Sequence, residues 1–300
     1  MLDKTEEFAS KHLGQKSLGS ETYEPTLLVP IPRIENRKQY DINNSELPFE
    51  GYDIWHGYEF SSMTNNNVPI TRLIKIKYNC NSEFLVESKS LKLYLNSFNM
   101  TKFGNSIEDC LDICKKLIEK DLSNTLKTPV KIEFIDNTTP KIEIFDEYIN
   151  LIKLVNEKDL VISQFKESPE VLEIDTINFE PRAFRLTFDS LRSNCRVTHQ
   201  PDFGDVFIYY NSKKHINEIS LIKYLVSFRS EYHFHEECCE MIFKRLMDLL
   251  DEQDELFVGA LYTRRGGIDI CPVRWSKNCS IRDFEPLLSL NIFARNGVKQ

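Results

Sequence analysis

The spacing of hydrophobic and polar positions changes several times along the chain, and each change predicts an element. "YDIWHGYEF" (52–60) and "TRLIKIKYN" (71–79) are rich in β-branched and aromatic residues and predict two strands. "SIEDCLDICKKLIEK" (106–120) opens with a Ser-x-x-Asp cap. It places Ile107, Leu111, Cys114 and Leu117–Ile118 at helical spacing, which predicts a helix. "VKIEFID" then returns to strand. In the second half "AFRLTFDSL" and "DVFIYYNS" predict strands, 218 to 250 is helical, and "ELFVGALYT" and "GIDICPVRW" are strands again. Strand, strand, helix, helix, strand, strand is an α+β order, with an antiparallel sheet and helices on one face. Residues 1 to 48, polar with prolines at 25, 30 and 32, read as an arm wrapping a domain.

The pattern also repeats. "SLKLYLNSF" (90–98) matches "SLIKYLVSF" (220–228), sharing Ser, Leu, Tyr, Leu, Ser and Phe in order. "EDCLDICKKL" (108–117) matches "ECCEMIFKRL" (237–246) through Glu108, Cys110, Ile113, Lys115 and Leu117. Shared polar positions in register point to two copies of one unit, joined in the charged, glycine-free stretch from about 150 to 180. The copies differ where chemistry would sit: only the second has "SNCRVTHQPDFGD" upstream and "HFHEE" between its helices.

Composition narrows the class. Three hundred residues, 41% hydrophobic and 28% charged, suit a globular protein with real cores. A net charge of −8 argues against a protein built mainly to grip a polyanion. "MLDKTEEFAS" is acidic without an apolar core, so no secretory signal is expected, and no run approaches the ~18 apolar residues of a membrane span. A cytoplasmic protein is expected. Eight scattered cysteines without a secretory context are expected to be reduced thiols. No C-x-x-C pair exists; His233 and His235 in "HFH" would supply two imidazoles to a metal only from a strand.

Three stretches carry candidate chemistry. In "SNCRVTHQPDFGD" (193–205) Cys195 lies between Arg192 and Arg196, with His199 and Asp202 following. Cations lower a thiol's pKa and a carboxylate moves protons, though a buried thiol before a polar loop fits the same letters. In "YTRRGGID" (262–269) arginines precede adjacent glycines, which suits a phosphate, or a hairpin turn with Gly266–Gly267 at positive φ, or both. In "VESKSLKLY" (86–94) Glu87 has the acceptor geometry for the N–H edge of a guanine-like base, or caps a helix. The acidic residues of "HEE" (235–237) have the same two readings. No G-x-G-x-x-G follows a strand, so a Rossmann mode of nucleotide binding has no support.

Taken together, "ESKSLKLYLNSFN", "SNCRVTHQPDFGD", "YLVSFRS…FHEE" and "YTRRGGIDI", in this order, resemble the two-domain QueF type of NADPH-dependent 7-cyano-7-deazaguanine reductase. The resemblance runs from about residue 22 to the C-terminal region, and "PFEGYDIW" fits it. It implies an arm (1–48) followed by tandem tunnelling-fold (T-fold) domains at 49–165 and 166–300, each an antiparallel sheet backed by two helices, in a homodimer. The implied reaction takes the nitrile of 7-cyano-7-deazaguanine to 7-aminomethyl-7-deazaguanine with two NADPH, on the route to queuosine in tRNA. Cys195 would be the nucleophile that forms a thioimide and Asp202 the proton donor. Glu87, His235 and Glu236 would hold the deazapurine with backbone around Val86 and Ser88, while Ser88, Lys89, Arg265 and Gly266 would meet NADPH. Glu237 has no implied role. No metal, membrane or direct nucleic-acid contact is implied. A cysteine hydrolase releasing ammonia, and a non-catalytic purine or pterin binder, use the same residues and remain alternatives.

Overall fold

The computed structural model describes residues 20 and 22–296; the beginning of the expected arm, including "MLDKTEEFAS", lies outside the described residues. The described arm carries β1 (Pro30–Pro32) and α1 (Ile34–Gln39). The first repeat follows as β2 (Glu50–Met63), β3 (Pro69–Asn79), β4 (Phe84–Val86), α2 (Ser88–Asn96), α3 (Ile107–Leu126) and β5 (Val130–Ile135). Two short strands, β6 (Lys141–Glu143) and β7 (Ile149–Asn150), and three single turns of 3₁₀ helix occupy the join. The second repeat is β8 (Ile174–Asn194), β9 (Pro201–Ile216), α4 (Glu218–Ser227), α5 (His235–Met247), β10 (Glu255–Tyr262) and β11 (Ile268–Trp275), followed by α6 (Glu285–Leu288) and β12 (Phe293–Arg295).

Eight strands form one sheet in the order β5-β3-β2-β11-β10-β9-β8-β7, antiparallel except for the two-residue β7–β8 pairing. The halves are therefore fused edge to edge, through eight residue pairs between β11 and β2, Ile268↔Gly57 to Trp275↔Glu50. All four long helices lie on one face. The α2–α3 pair covers Trp55, Ile74 and Ile76, and the α4–α5 pair covers Ile208, Val258 and Ala260. On the other face, Ile54, Phe207, Phe257 and Val273 are sealed by Phe145, Phe284, Leu287 and Ala294, from the join and the chain after β11. Those residues share one face because side chains alternate along a strand.

The shared letters of the repeat make shared hydrogen bonds. Ser90 and Ser220 donate their hydroxyls to the N-cap carbonyls of Glu87 (2.7 Å) and Asn217 (2.8 Å), and accept the backbone N–H of Val29 and Glu173. Ser97 and Ser227 donate to the carbonyls of Tyr94 and Tyr224, both at 2.6 Å. The helix expected over 106–120 starts as expected, with Ser106 Oγ accepting from Asp109 N, but runs on to Leu126. That extension settles which face is buried: Cys110, Cys114, Ile118, Leu122 and Leu126 form the inner stripe, and Ile107 is left exposed. Both cysteines act as small apolar groups there. All eight cysteines are buried and free.

The arm does more than wrap. β1 pairs with β4 (Ile31↔Leu85), and α1 and its N-cap deliver Arg33 and Arg37 into the protein. Arg33 pairs with Asp53 on β2 and Glu240 on α5, Arg37 pairs with Glu240, and Arg274 on β11 joins both carboxylates at 2.8 and 2.9 Å. The network crosses the junction between the halves. Burial pulls the Glu240 carboxyl upward, but Arg37, Arg274 and Arg33 outweigh it and hold it at about 2.

Candidate active site

The β2–β11 junction places motifs from both repeats around one cavity on the helix face. Cys195 sits where the β8–β9 hairpin opens into its loop: its N–H donates to Gln200 O, and its carbonyl accepts from His199 N. Asn194 exchanges backbone hydrogen bonds with the segment before α5, donating to Glu231 O and accepting from His233 N. That stitch holds the thiol beside His235 and Glu236 in the first turn of α5. Trp55 on β2, Ile270 on β11 and Phe234 complete the apolar wall; all three lie inside quoted motifs, but none was given a role there.

The cation at the sulfur comes from the other repeat. Lys89 Nζ stands 3.5 Å from Cys195 Sγ, across 106 residues of sequence. Burial pushes the thiol up, yet the Lys89 charge, then the Thr198 hydroxyl and the loop N–H groups of Thr198 and Val197, bring it below the usual cysteine value. The flanking arginines are engaged elsewhere: Arg192 donates to Arg229 O and Asn194 Oδ1, and Arg196 donates to Tyr232 O and faces Glu237. His199 is exposed, with its ring against Tyr232. Sequence adjacency suggested the arginines; the fold supplies a lysine.

Asp202, at the start of β9, lines the same cavity. Its Oδ1 is 2.7 Å from Arg265 Nη1 and its Oδ2 is 3.3 Å from His235 Nε2. Burial raises its carboxyl, but the His235 hydrogen bond and charge, with Arg265 and Lys89, leave it below the usual carboxylate range. The His235 ring stacks on Tyr262 at 3.8 Å. Among the described residues, no hydrogen-bond partner stands against the buried His235 Nδ1 or Glu236 Oε1. Burial, then the Asp53 charge, raise the Glu236 carboxyl to about 8. Orphaned buried groups cost free energy, and a bound polar ligand removes that cost.

The other expected residues divide. Val86 and Ser88 line the cavity. Glu87 is the N-cap of α2; its Oε2 accepts Ser90 N at 2.7 Å, so its carboxylate faces its own helix terminus. Glu237, for which the resemblance implies no role, accepts Phe234 N at 2.9 Å and sits 3.5 Å from His233 Nδ1, fastening the first turn of α5. His233 also faces Glu231, whereas His235 faces Asp202, so the two imidazoles of "HFH" do not converge. Among the described residues, the group with metal-ligand spacing is His56, Asp269 and Cys271, on the far face, where Asp269 accepts from Tyr58 and meets His56 Nδ1.

Next to this cavity lies a second one, lined by Ser88, Lys89, Lys92, Arg265 and Gly266. "RRGG" is a two-residue hairpin turn: Gly266 and Gly267 have φ of 62° and 82°, and Arg265 and Ile268 exchange backbone hydrogen bonds. Arg264 packs over Tyr58, while Arg265 borders both cavities. A turn and a cationic wall coexist. The three cations suit the phosphates of a dinucleotide, and the thiol next door suits addition to an electrophilic carbon.

Fold and site together define a class: a two-repeat α+β chain whose junction holds a buried thiol beside a lysine, a carboxylate–imidazole pair and a cationic cavity. Residues 20–134 match the family described as "Nitrile reductase, 7-cyano-7-deazaguanine-reductase N-term", and residues 201–280 match "QueF-like protein". The chain is 40% identical to the NADPH-dependent 7-cyano-7-deazaguanine reductase of Rickettsia bellii, over 87% of this chain and 91% of the relative. Proteins of the same name from Colwellia psychrerythraea (36%, over 90% and 93%) and Legionella pneumophila strain Lens (37%, over 89% and 90%) are similar. The chain belongs to the QueF family of nitrile reductases.

Proposed function

We propose that this protein reduces the nitrile of 7-cyano-7-deazaguanine to the primary amine of 7-aminomethyl-7-deazaguanine through a thioimide on Cys195, consuming two NADPH in queuosine synthesis. As a family member it is an NADPH-dependent oxidoreductase. The observation that carries the mechanism is the Lys89–Cys195 contact at 3.5 Å, inside a cavity whose walls present unsatisfied buried polar atoms.

A nitrile carbon is a poor hydride acceptor. Addition of the Cys195 thiolate, with a proton passed to nitrogen, converts it to a C=N carbon that accepts hydride readily. When bound, NADPH supplies the hydride. Asp202 delivers a proton to the same nitrogen as hydride arrives, and collapse of the resulting adduct returns the thiolate to Lys89 with loss of one proton. A second hydride and proton complete the amine, so the balance is one nitrile, two NADPH and two protons. Glu236 and His235 offer their orphaned atoms to the edge of the base, Glu87 supplies a further carboxylate to it, and Val86 and Ser88 border it. Lys89, Arg265, Ser88 and the Gly266 backbone border the nucleotide. No metal takes part.

We read the repeats as tandem T-fold domains, 49–165 and 166–300, following the arm 1–48. The matching serine hydrogen bonds support that reading. We read the chain as a cytoplasmic homodimer. Most of the outer edge of β8 has no strand partner among the described residues, and Ile177 and Phe179 are exposed along it. Among the described residues no helix is long and apolar enough to cross a membrane. Light scattering of the purified chain tests the dimer.

The test of function is NADPH oxidation with and without the cyano base, together with intact mass after mixing base and enzyme alone. The expected results are base-dependent oxidation and an adduct of one base per chain, both lost in Cys195→Ala. Normal turnover in Cys195→Ala, or ammonia release without NADPH consumption, overturns the reading.

A further inference from the structure

Asp202 poses a chemical problem. In the proposed reaction Asp202 acts as an acid, yet the arrangement around it suits the carboxylate. Arg265 Nη1 lies on one oxygen at 2.7 Å and His235 Nε2 on the other at 3.3 Å. Lys89 on α2 adds a third positive charge, Tyr262 on β10 and Cys238 on α5 lie within electrostatic range, and Cys195 shares the cavity. A carboxylate clamped by a guanidinium gives up no proton because it has none.

The geometry also shows which clamp can open. Asp202 is fixed on β9 with 7% of its side chain exposed, and His235 is held by stacking on Tyr262. Arg265, in contrast, reaches in from the exposed "RRGG" turn with 38% of its side chain exposed, and it borders both the thiol cavity and its cationic neighbour. The same guanidinium thus has two anionic claimants: Asp202 in the free protein, and a phosphate in the nucleotide cavity.

We propose that Arg265 is a positioning residue that switches Asp202 from base to acid: nucleotide phosphate draws the guanidinium off Oδ1, and that freed, buried oxygen takes up a proton from buffered solvent before hydride transfer while His235 stays on Oδ2. This rests on the function proposed above. The proton taken up on binding is the one delivered to the substrate nitrogen; Asp202 then returns to carboxylate, and Arg265 recovers it as oxidised nucleotide leaves. An acid that forms only when the hydride source is present wastes no protonation on a site that lacks it.

The test uses full-length Cys195→Ala protein, which cannot form the adduct, with the cyano base bound. NADPH is titrated by calorimetry in buffers of different ionisation enthalpy near pH 7. About one proton should be taken up per NADPH bound. Asp202→Asn should abolish the uptake and tighten NADPH binding, because Arg265 loses its competing anion. Arg265→Gln should weaken binding about tenfold or more and abolish the uptake, and Arg265→Lys should restore part of both. NADPH binding without proton uptake overturns this proposal alone. Uptake that persists in Asp202→Asn places the proton on His235 and also overturns it. No NADPH binding at all overturns it together with the function on which it rests.

Discussion

At Cys195 burial and charge pull the thiol in opposite directions, and Lys89 leads the groups that tip the outcome toward thiolate. The folded-state shift is downward, so the thiolate persists to lower pH than in an ordinary cysteine, and Lys89→Ala should move the midpoint of Cys195 alkylation upward. Alkylation rates across pH 6 to 10 check this; an unmoved midpoint would assign the downward shift to the Thr198 hydroxyl and the loop N–H groups instead. Glu236 behaves in the opposite way. Its carboxyl is raised to about 8, so at neutral pH the empty site holds mostly the protonated form. Donation from the base's N–H edge selects the ionised form. Base affinity, measured on Cys195→Ala protein, should therefore rise up to about tenfold per pH unit below 8 and level off above it. Glu236→Gln should remove that slope.

At the scale of elements, the "RRGG" hairpin shows how a turn holds a side chain in place. Gly266 and Gly267 both sit at positive φ, but their surroundings differ. A Cβ on Gly266 meets Lys92 Nζ at an ordinary 3.6 Å, whereas one on Gly267 comes within 2.5 Å of the Glu59 carboxylate carbon. Glu59 is exposed and can swing aside; the φ of 82° cannot relax without opening the turn. Asparagine tolerates this backbone region and favours the first position of such a turn. Gly266→Asn should therefore leave the melting temperature nearly unchanged, while Gly267→Ala should cost about 1–2 kcal/mol. Gly267→Ala should also raise the KM for NADPH, because Arg265 leaves its place. Thermal melts and steady-state kinetics separate the two effects.

At the scale of the molecule, the Arg33–Arg37–Asp53–Glu240–Arg274 network joins arm, first repeat and second repeat in one buried knot. Removing one partner leaves guanidinium charge uncompensated, so Glu240→Gln should destabilise the protein by about 3–5 kcal/mol. The linkage has a definite sign. Glu240 is held at about 2 in the folded protein, below an ordinary glutamate, so its contribution is present above about pH 4.3 and is lost as pH falls toward 2. Acid unfolding followed by circular dichroism should steepen over that window in the natural protein and shift to higher pH in Glu240→Gln. An identical acid transition in both would remove the knot from the stability of the fold.

Although they left open the short elements of the arm, the join and the end of the chain, local patterns in the sequence determined the long strands and helices and their order, because period 2, period 3.6 and an N-cap serine are properties of neighbours. They also determined the repeat, since Ser90, Ser97 and their counterparts Ser220 and Ser227 serve hydrogen bonds within their own helices. The hairpin in "RRGG" and the cap made by Glu87 were legible for the same reason. The pairing of Lys89 with Cys195, the clamp of Arg265 on Asp202, the insertion of the arm's arginines beside Glu240 and the sealing of the far face were decided by tertiary structure alone. Each brings together residues that share no local signal: the Lys89–Cys195 contact depends on how β2 registers against β11, the Arg265–Asp202 clamp on how β10 registers against β9, and the arginine knot on how the arm crosses the seam. An ion pair requires opposite charges a few ångströms apart in space. No spacing along the chain encodes that distance until the sheet has closed.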